Sequence, residues 1–296
     1  MRSPEDELEN IAAAGLTRRL RPLDSTTGPT VVRDGRELWN FASNDYLGLA
    51  NHPAIRQAFH EGLDLWGHGS AASRLITGSL HPHHALEETI AAAKSTGAAL
   101  TFSSGHAAAT GAIPAIVGPG DHVIIDKLAH ACLIDAARLS GARIRVYPHN
   151  HLEKLSRLLA STRRDFPDSR ILIVTESLFS MDGDLAPLAE IVELRDRHQA
   201  LLWLDEAHGL GVLGPRGMGL ADELGLQERI DFHMGTLGKA AGLAGAYIAC
   251  SAAWRDVLVN RARSFIFSTA PPPALAHAAR VAIEIISSPE GYDLRR

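Results

Sequence analysis

The segment Leu201–His208 contains residue types that could act on a flat ring with a heterocyclic nitrogen. An apolar run ends at Asp205, and His208 follows three positions later. A carboxylate beside a ring nitrogen favours the protonated ring, which is the stronger electron sink. The imidazole of His208 could bond a neighbouring ring oxygen. The segment therefore predicts a site for a pyridinium cofactor, and the simpler alternative is a strand-end aspartate that caps a turn.

Two other interpretations of this region are not supported by the surrounding residues. Asp-Glu-Ala-His could bind magnesium in a helicase-type nucleoside triphosphatase, which also requires a Gly-x-x-x-x-Gly-Lys-Ser/Thr loop. The nearest match, around Lys239, has His233 for the first glycine and Ala240 for the hydroxyl residue. Gly209–Gly214 fits the dinucleotide pattern Gly-x-Gly-x-x-Gly, but residues 215–217 do not continue it as a helix that could hold a pyrophosphate.

Lys239 lies in a glycine-rich loop that follows the apolar run Ile230–Met234. Glycine lets a backbone approach a ligand closely. The hydroxyl of Thr236 could bond a phosphate, and a lysine amine can form an imine with an aldehyde. A solvated loop lysine is the simpler alternative, and the presence of Asp205 and His208 favours the cofactor.

Two further strand ends carry polar residues. Gly105 and His106 begin an alanine-rich helix, whose free N–H groups could bind a phosphate. His130 follows another apolar run and could stack on a flat cofactor. An ordinary helix cap and a surface histidine are the respective alternatives. The histidines of segment 81–84 lack a complete metal-ligand pattern, so no metal is predicted.

Short apolar runs alternate with helix-period segments and would position these residues. Helices are predicted to begin near Pro53 and Pro187, because proline suits the first turn. The predicted strands are Ala99–Phe102, His122–Asp126, Ile144–Tyr147, Ile171–Thr175, Leu201–Asp205 and Ala244–Ala249. This alternation predicts an α/β fold with a mostly parallel sheet, in which ligands bind beyond the carboxyl ends of the strands.

Composition narrows the class of protein. The net charge of -5 argues against a general nucleic-acid binder. Cys132 and Cys250 form no C-x-x-C pair, which suits a reducing compartment. No apolar run approaches the roughly 20 residues needed to span a membrane. The acidic start of the chain is unlike a signal peptide. We therefore expect a cytoplasmic protein that acts on small molecules.

The order and spacing of the motifs resemble the α-oxoamine synthases, a family of fold-type I pyridoxal-phosphate enzymes. The matching segments are Asn40–Leu49, Ser73–Gly78, Ser104–His106, Thr175–Asp184, Asp205–Gly209 and Gly235–Ala240. They extend over nearly the whole chain. The resemblance implies a fold-type I transferase, with a mostly parallel sheet flanked by helices, and pyridoxal 5'-phosphate as the cofactor.

The resemblance also implies a catalytic set. Lys239 would hold the cofactor as an imine and then act as the proton-transfer base at Cα of the substrate. Asp205 would pair with the pyridine nitrogen, and His208 would bond the phenolic oxygen. His130 would stack on the ring.

Other residues would bind the phosphate of the cofactor and the substrates. The family likeness assigns cofactor polar groups to Gly105, His106, Ser180 and Thr236. His106 replaces the usual aromatic residue, which need not disturb contacts made by its backbone. Arg18 would contact the acyl-CoA, and Asn44 and His130 would face the substrate.

The implied activity is that of an acyltransferase that joins an amino acid to an acyl thioester. L-alanine and an acyl-CoA, or the acyl thioester of a carrier protein, would condense with loss of thiol and carbon dioxide. The residues do not distinguish acetyl, succinyl, pimeloyl and long-chain acyl groups, and overall likeness favours pimeloyl. A glycine-dependent acetyltransferase, another fold-type I enzyme, and a form that binds cofactor or partners without turnover are the alternatives.

The expected organisation has three parts. These are an N-terminal arm at 1–50, a large cofactor-binding domain at 51–270, and the start of a connection at 271–296. Relatives continue into a C-terminal domain that this chain lacks. A helix predicted at Ala274–Ser287 has an apolar face that we expect a partner or absent residues to cover. The family likeness also implies a homodimer.

Overall fold

The computed structural model describes residues 3–296. These fall into two compact units, one ending at Ser43 and the other formed by Asn44–Arg296. The strands are β1 (Thr30–Arg33), β2 (Arg36–Trp39), β3 (Ala98–Phe102), β4 (His122–Asp126), β5 (Arg143–Tyr147), β6 (Ile171–Glu176), β7 (Leu201–Asp205), β8 (Phe232–Thr236) and β9 (Ala246–Cys250). The helices are α1 (Pro4–Ala13), α2 (Pro53–Trp66), α3 (His81–Ala93), α4 (Gly105–Ile116), α5 (Ala131–Ser140), α6 (Leu152–Asp165), α7 (Leu188–Arg197), α8 (Leu220–Glu223), α9 (Ala252–Arg261), α10 (Arg263–Ile266), α11 (Pro273–Ser287) and α12 (Pro289–Arg295).

The first unit consists of a capped helix and a hairpin. Ser3 Oγ accepts a hydrogen bond from Asp6 N–H, and the Asp6 carboxylate accepts one from Ser3 N–H, so α1 begins with a capping box. Strands β1 and β2 pair antiparallel through a two-residue turn. Asp34 and Gly35 of that turn both have positive φ, as a hairpin turn that follows the strand twist requires. Arg18 lies between α1 and β1 with an exposed side chain.

The second unit is organised around a seven-stranded sheet with the order β3-β9-β8-β7-β6-β4-β5. Strands β4 to β8 pair parallel, and β9 is antiparallel to its neighbours β3 and β8. The predicted mostly parallel sheet is thereby confirmed. Strands β4 and β6 are buried at every position, which explains their continuous apolar sequences. Because the parallel strands share a direction, their carboxyl ends meet at one edge of the sheet.

Helices cover both faces of this sheet. Leu172 and Val174 of β6 pack with residues of α4, α5 and α9. Ile171 and Ile173 point to the opposite face and pack with α6 and α7. Helices α2, α3 and α11 form a further apolar cluster with β3 and β9. Successive side chains of one strand therefore point to opposite faces of the sheet and pack into two separate apolar layers.

Helix α11 corrects one expectation from the sequence. Its apolar residues, including Ala279 and Ile283, are buried against α2 and α3 of the same chain. The approach is close, since a Cβ added to Gly62 of α2 would lie 2.8 Å from Ala274 Cα. The expectation that a partner or absent residues must cover this face is wrong. Periodicity reveals an apolar face, but it does not identify a partner so far away in sequence.

Strand β8 was not predicted, although its apolar run was noted. His233 and Gly235 interrupt the pattern of β-formers there. Strand β9 starts two positions later than expected, and the other predicted strands agree within a residue at each end. No helix among residues 3–296 is long and apolar enough to cross a lipid bilayer.

Candidate active site

A cavity of about 200 Å³ opens at the carboxyl ends of the parallel strands. Its walls are formed by Gly105, His106, His130, Cys132, Glu176, Asp205, Ala207, His208, Met234, Thr236 and Lys239. All of the predicted cofactor-binding residues except Ser180 are among them. A larger groove of about 530 Å³ between α6 and α7 contains none of them. The fold thus gathers residues from distant segments at the edge where α/β sheets bind ligands.

Lys239 and His208 are in direct contact in this cavity. Lys239 Nζ lies 2.6 Å from His208 Nε2. Burial lowers the pKa of Lys239, and the carboxylates of Asp205 and Glu176 only partly oppose this. Burial, together with the charge of Lys239, lowers the pKa of His208 to about 4. His208 is therefore neutral at neutral pH, and the amine of Lys239 loses its proton more easily than a solvated lysine.

Two carboxyl groups lie side by side at the base of the cavity. Register between β6 and β7 pairs Glu176 with Asp205. Ala207 N–H donates to Asp205 Oδ1 over 2.9 Å, and burial raises the pKa of Asp205. Burial and the neighbouring Asp205 raise the pKa of Glu176 to about 8. The site can therefore accommodate a cationic group near these acids, because such a group would relieve their repulsion.

The ring of His130 is held by its neighbours. The backbone N–H of His130 donates to Glu176 Oε1 over 2.6 Å. His130 Nδ1 accepts from Cys132 N–H over 3.2 Å, and Cys132 Sγ lies 3.0 Å away from the same nitrogen. Burial raises the pKa of the Cys132 thiol to about 12, so the thiol keeps its proton. These contacts fix the orientation of a flat imidazole on the cavity wall.

The part of the cavity wall formed by the start of α4 is suited to an anion. Gly105 and His106 are the first residues of α4, and such N–H groups have no partner within a helix. Ser104 Oγ caps the helix by accepting from Ala107 N–H over 3.1 Å. Thr236 Oγ1 accepts from the N–H of residue 238 and lines the same cavity. A helix start with exposed N–H groups is a phosphate-binding arrangement.

Three predicted residues are not part of the cavity wall. Ser180 is exposed in the loop after β6. Asn44 accepts a hydrogen bond from Tyr46, which in turn contacts His208. Arg18 belongs to the first unit. The contacts proposed for Ser180, Asn44 and Arg18 therefore stay predictions.

Three residues of this region were not predicted from the sequence, namely Glu176, Cys132 and Tyr46. Glu176 carried a usable signal, since it follows a predicted apolar strand just as Asp205 does. Cys132 was treated only as one of two unpaired cysteines. Tyr46 had no local signal, because it lies 162 positions from its partner His208.

A buried ion pair supports the segment between Asp205 and His208. Lys94 Nζ donates to Glu206 Oε2 and to the carbonyl of Met218, each over 2.5 Å. The Lys94 and Glu206 side chains are 1% and 0% exposed. Burial disfavours the charge of Glu206, but Lys94 and His233 outweigh it and lower the pKa of Glu206 to about 2. The pair therefore stays ionised and anchors the segment that carries Asp205 and His208.

Comparison with known proteins identifies similar chains. The family described as aminotransferase class I and II matches residues 36–294. The 8-amino-7-oxononanoate synthases of Pelobacter propionicus and Geobacter sulfurreducens are each 51% identical over 295 residues, which is 100% of this chain and 75% of theirs. A serine palmitoyltransferase variant from S. paucimobilis, solved with an aldimine of pyridoxal phosphate and myriocin, superposes with a TM-score of 0.88 at 29% identity. That alignment covers 95% of this chain and 71% of the other.

Proposed function

The chain belongs to the aminotransferase class I and II family, and within it to the α-oxoamine synthases, and from this premise we propose its reaction. The proposed reaction is the decarboxylative condensation of L-alanine with a pimeloyl thioester to give 8-amino-7-oxononanoate, carbon dioxide and free thiol, a step of biotin biosynthesis. The chain is a pyridoxal-phosphate-dependent acyltransferase. The identity of about half its residues with synthases of that name supports the choice of substrates.

The cavity fits pyridoxal phosphate by its chemistry. Lys239 would hold the aldehyde carbon of the cofactor, and its lowered pKa provides more of the uncharged amine that this role requires. The buried carboxyl of Asp205 suits the ring nitrogen. A protonated ring nitrogen would bring a positive charge, which the acidic residues on the floor of the cavity can accept. The start of α4 at Gly105 suits the phosphate. When bound, the cofactor supplies an electron sink for a carbanion at Cα of the amino acid.

The residues of the chain would then position groups and move one proton. Lys239 Nζ would take the proton from Cα of alanine, which requires a neutral amine, and burial lowers its pKa in that direction. Asp205 would keep the ring nitrogen protonated. His208, neutral and in contact with Lys239, would bond the phenolic oxygen. His130 would cover the ring face and exclude water. We propose in addition that Ser180, Asn44 and Arg18 make the contacts inferred above and that the chain acts as a homodimer.

One observation carries this proposal. Lys239 lines the same cavity as Asp205, whose carboxyl is buried, and the start of α4. Amine, acid and anion site are the groups that an aldehyde-bearing pyridine phosphate requires. A solvated loop lysine would have neither the lowered pKa nor these neighbours.

The first test is covalent trapping of the cofactor. Borohydride reduction of the chain loaded with pyridoxal phosphate should leave a pyridoxyl group on Lys239, located by peptide mass spectrometry. The variant Lys239→Ala should lose the visible absorption of bound cofactor. The exposed Lys127→Ala serves as the matched control and should keep it. A pyridoxyl group on any other lysine would contradict the site.

The second test concerns the substrates. Alanine, glycine and serine should each be offered with acetyl-, pimeloyl- and palmitoyl-CoA, and the release of carbon dioxide and thiol measured. Alanine with pimeloyl-CoA should give the highest kcat/KM. Preference for serine with palmitoyl-CoA would leave the family intact and overturn the proposed substrates. Sedimentation at micromolar concentration tests the dimer.

A further inference from the structure

The hydroxyl of Tyr46 connects the cavity to a residue outside it. Tyr46 Oη lies 2.6 Å from His208 Nδ1 and 3.1 Å from Asn44 Oδ1. On the other side of the imidazole, Nε2 lies 2.6 Å from Lys239 Nζ. The four side chains thus form one continuous row of hydrogen bonds, and Tyr46 is the member through which Asn44 acts on His208.

With the amide oxygen of Asn44 facing Tyr46, counting protons along this row assigns the tautomer of His208. The amide oxygen of Asn44 can only accept, so the single hydroxyl proton of Tyr46 is donated to it. The phenol oxygen must then accept from His208, which places the imidazole proton on Nδ1. A neutral imidazole has one N–H, so Nε2 carries a lone pair and accepts from Lys239.

We propose that Tyr46 is a positioning residue that holds His208 as the Nδ1–H tautomer with the lone pair of Nε2 directed at Lys239. Because Lys239 donates an N–H to His208, the lone pair that the amine carries once it is deprotonated is left free for the cavity. This inference rests on the proposed function, in which that amine reacts with the cofactor and the substrate. Tyr46 would thereby set the direction in which the amine can react.

Two properties of the groups support this arrangement. Burial raises the pKa of Tyr46, so the phenol keeps its proton throughout the neutral range. The pKa of His208 is lowered to about 4 by burial and by the charges of Lys239 and His130, so the imidazole is neutral and must choose between two tautomers. Tyr46 is 40% exposed as a residue, so removal of its hydroxyl costs little packing.

The test is a measurement of the two ring nitrogens of His208 by ¹⁵N NMR in the chain without cofactor. Selective labelling of histidine, with His208→Gln for assignment, gives the shifts of Nδ1 and Nε2. The wild-type protein should show a protonated Nδ1 and an unprotonated Nε2. In Tyr46→Phe the Nδ1–H loses its acceptor, so both nitrogens should move towards averaged shifts. Tyr292→Phe, at a tyrosine that is 50% exposed on α12, is the matched control and should leave them unchanged.

A second variant distinguishes the two possible orientations of the Asn44 amide. With the amide turned, its NH₂ would donate to Tyr46, the phenol proton would go to Nδ1, and Nε2 would carry the hydrogen. Asn44→Asp offers oxygens only. It should keep the Nδ1–H tautomer of the wild type, and this arm is informative even where Tyr46→Phe folds poorly. A wild-type Nε2–H tautomer, or shifts that ignore Tyr46→Phe, would overturn the proposal.

These outcomes are separable from the proposed function. The NMR measurement uses neither cofactor nor substrate, so a wrong tautomer leaves the borohydride and substrate tests standing. Conversely, failure of trapping at Lys239 would overturn the proposed function and would leave the assigned tautomer of His208 unaffected. In the loaded enzyme, Tyr46→Phe should lower kcat about 10-fold, the effect of one hydrogen bond. Asn44→Asp should keep the tautomer whatever its effect on substrate binding.

Discussion

Replacing Lys94 by methionine should destabilise the chain far more than loss of a surface charge. Methionine has a similar length and no charge, so Lys94→Met removes the partner of Glu206 with little change in volume. The two side chains are 1% and 0% exposed and lie 2.5 Å apart. Removing one partner of a buried ion pair leaves the other charge unpaired, which costs about 3–5 kcal/mol of the free energy of unfolding.

The assay is urea unfolding of the cofactor-free chain at neutral pH, with an exposed ion pair as the control. Arg280 and Glu284 are four positions apart on α11, and their side chains are 33% and 48% exposed. Such a pair contributes about 0.3–0.5 kcal/mol. Arg280→Met should therefore change the free energy of unfolding several-fold less than Lys94→Met does.

A double-mutant cycle assigns the effect to charge. In a Glu206→Gln background, Lys94→Met no longer leaves a buried carboxylate, so its cost should fall by several kcal/mol. The folded pKa of Glu206 is about 2, below the value of about 4.3 in an unfolded chain. The stability that this carboxylate contributes is therefore present above that unfolded pKa and is lost as the pH falls towards 2. The difference between wild type and Lys94→Met should shrink over the same range.

Two results would refute this reasoning. One is a cost for Lys94→Met no larger than that for Arg280→Met, which would mean that the buried charge is compensated in another way. The other is an equal cost of Lys94→Met with and without the Glu206 carboxylate. That outcome would assign the loss to packing of the lysine stem.

Two further predictions concern the acid Glu176 and a pair of glycines with positive φ. Because burial and Asp205 raise the pKa of Glu176 to about 8, the folded cofactor-free chain binds an extra proton between the unfolded pKa of about 4.3 and pH 8. The free energy of unfolding should therefore fall as the pH rises through this window. Glu176→Gln should flatten this pH dependence, measured by urea unfolding. An unchanged pH dependence in the variant would contradict the raised pKa of Glu176. Gly219→Ala should destabilise the chain by about 1–3 kcal/mol more than Gly120→Ala, as measured by thermal unfolding. Both glycines have positive φ, but only the new Cβ at Gly219 would clash with the Glu206 carboxylate. Equal losses would mean that backbone strain alone causes the destabilisation.

The residues that the sequence could locate are those at the ends of buried parallel strands. Asp205 ends one such strand and His130 follows another, and continuous apolar runs make these ends visible. Lys239 was visible from its glycine setting. The same rule, applied to Glu176, would have found it as well. The local sequence pattern is sufficient to predict these residues, because each of them is positioned by the strand that precedes it.

Residues placed by distant partners could not be found in this way. Lys94 is the C-cap of α3, where a basic residue normally faces solvent and complements the helix dipole. Its burial depends on Glu206, which is far away in sequence. Tyr46 depends on His208 in the same manner. The apolar face of α11 was visible, but its partner Gly62 was not, because no local signal specifies a contact between distant helices.

The packing of α11 on α2 and α3 also determines when this part of the molecule can be completed during synthesis. Ile55 and Ala58 of α2 emerge first, whereas Ala279 and Ile283, in the same buried cluster, emerge only after more than 200 further residues. A ribosome adds about 5–20 residues per second, so on the order of ten seconds or more separates the two. Throughout that interval the apolar face of α2 is without its native cover. Contacts of such long sequence separation slow folding and keep apolar surface exposed for longer. Gly62, which permits the close approach of the two helices, acts only after α11 has been made.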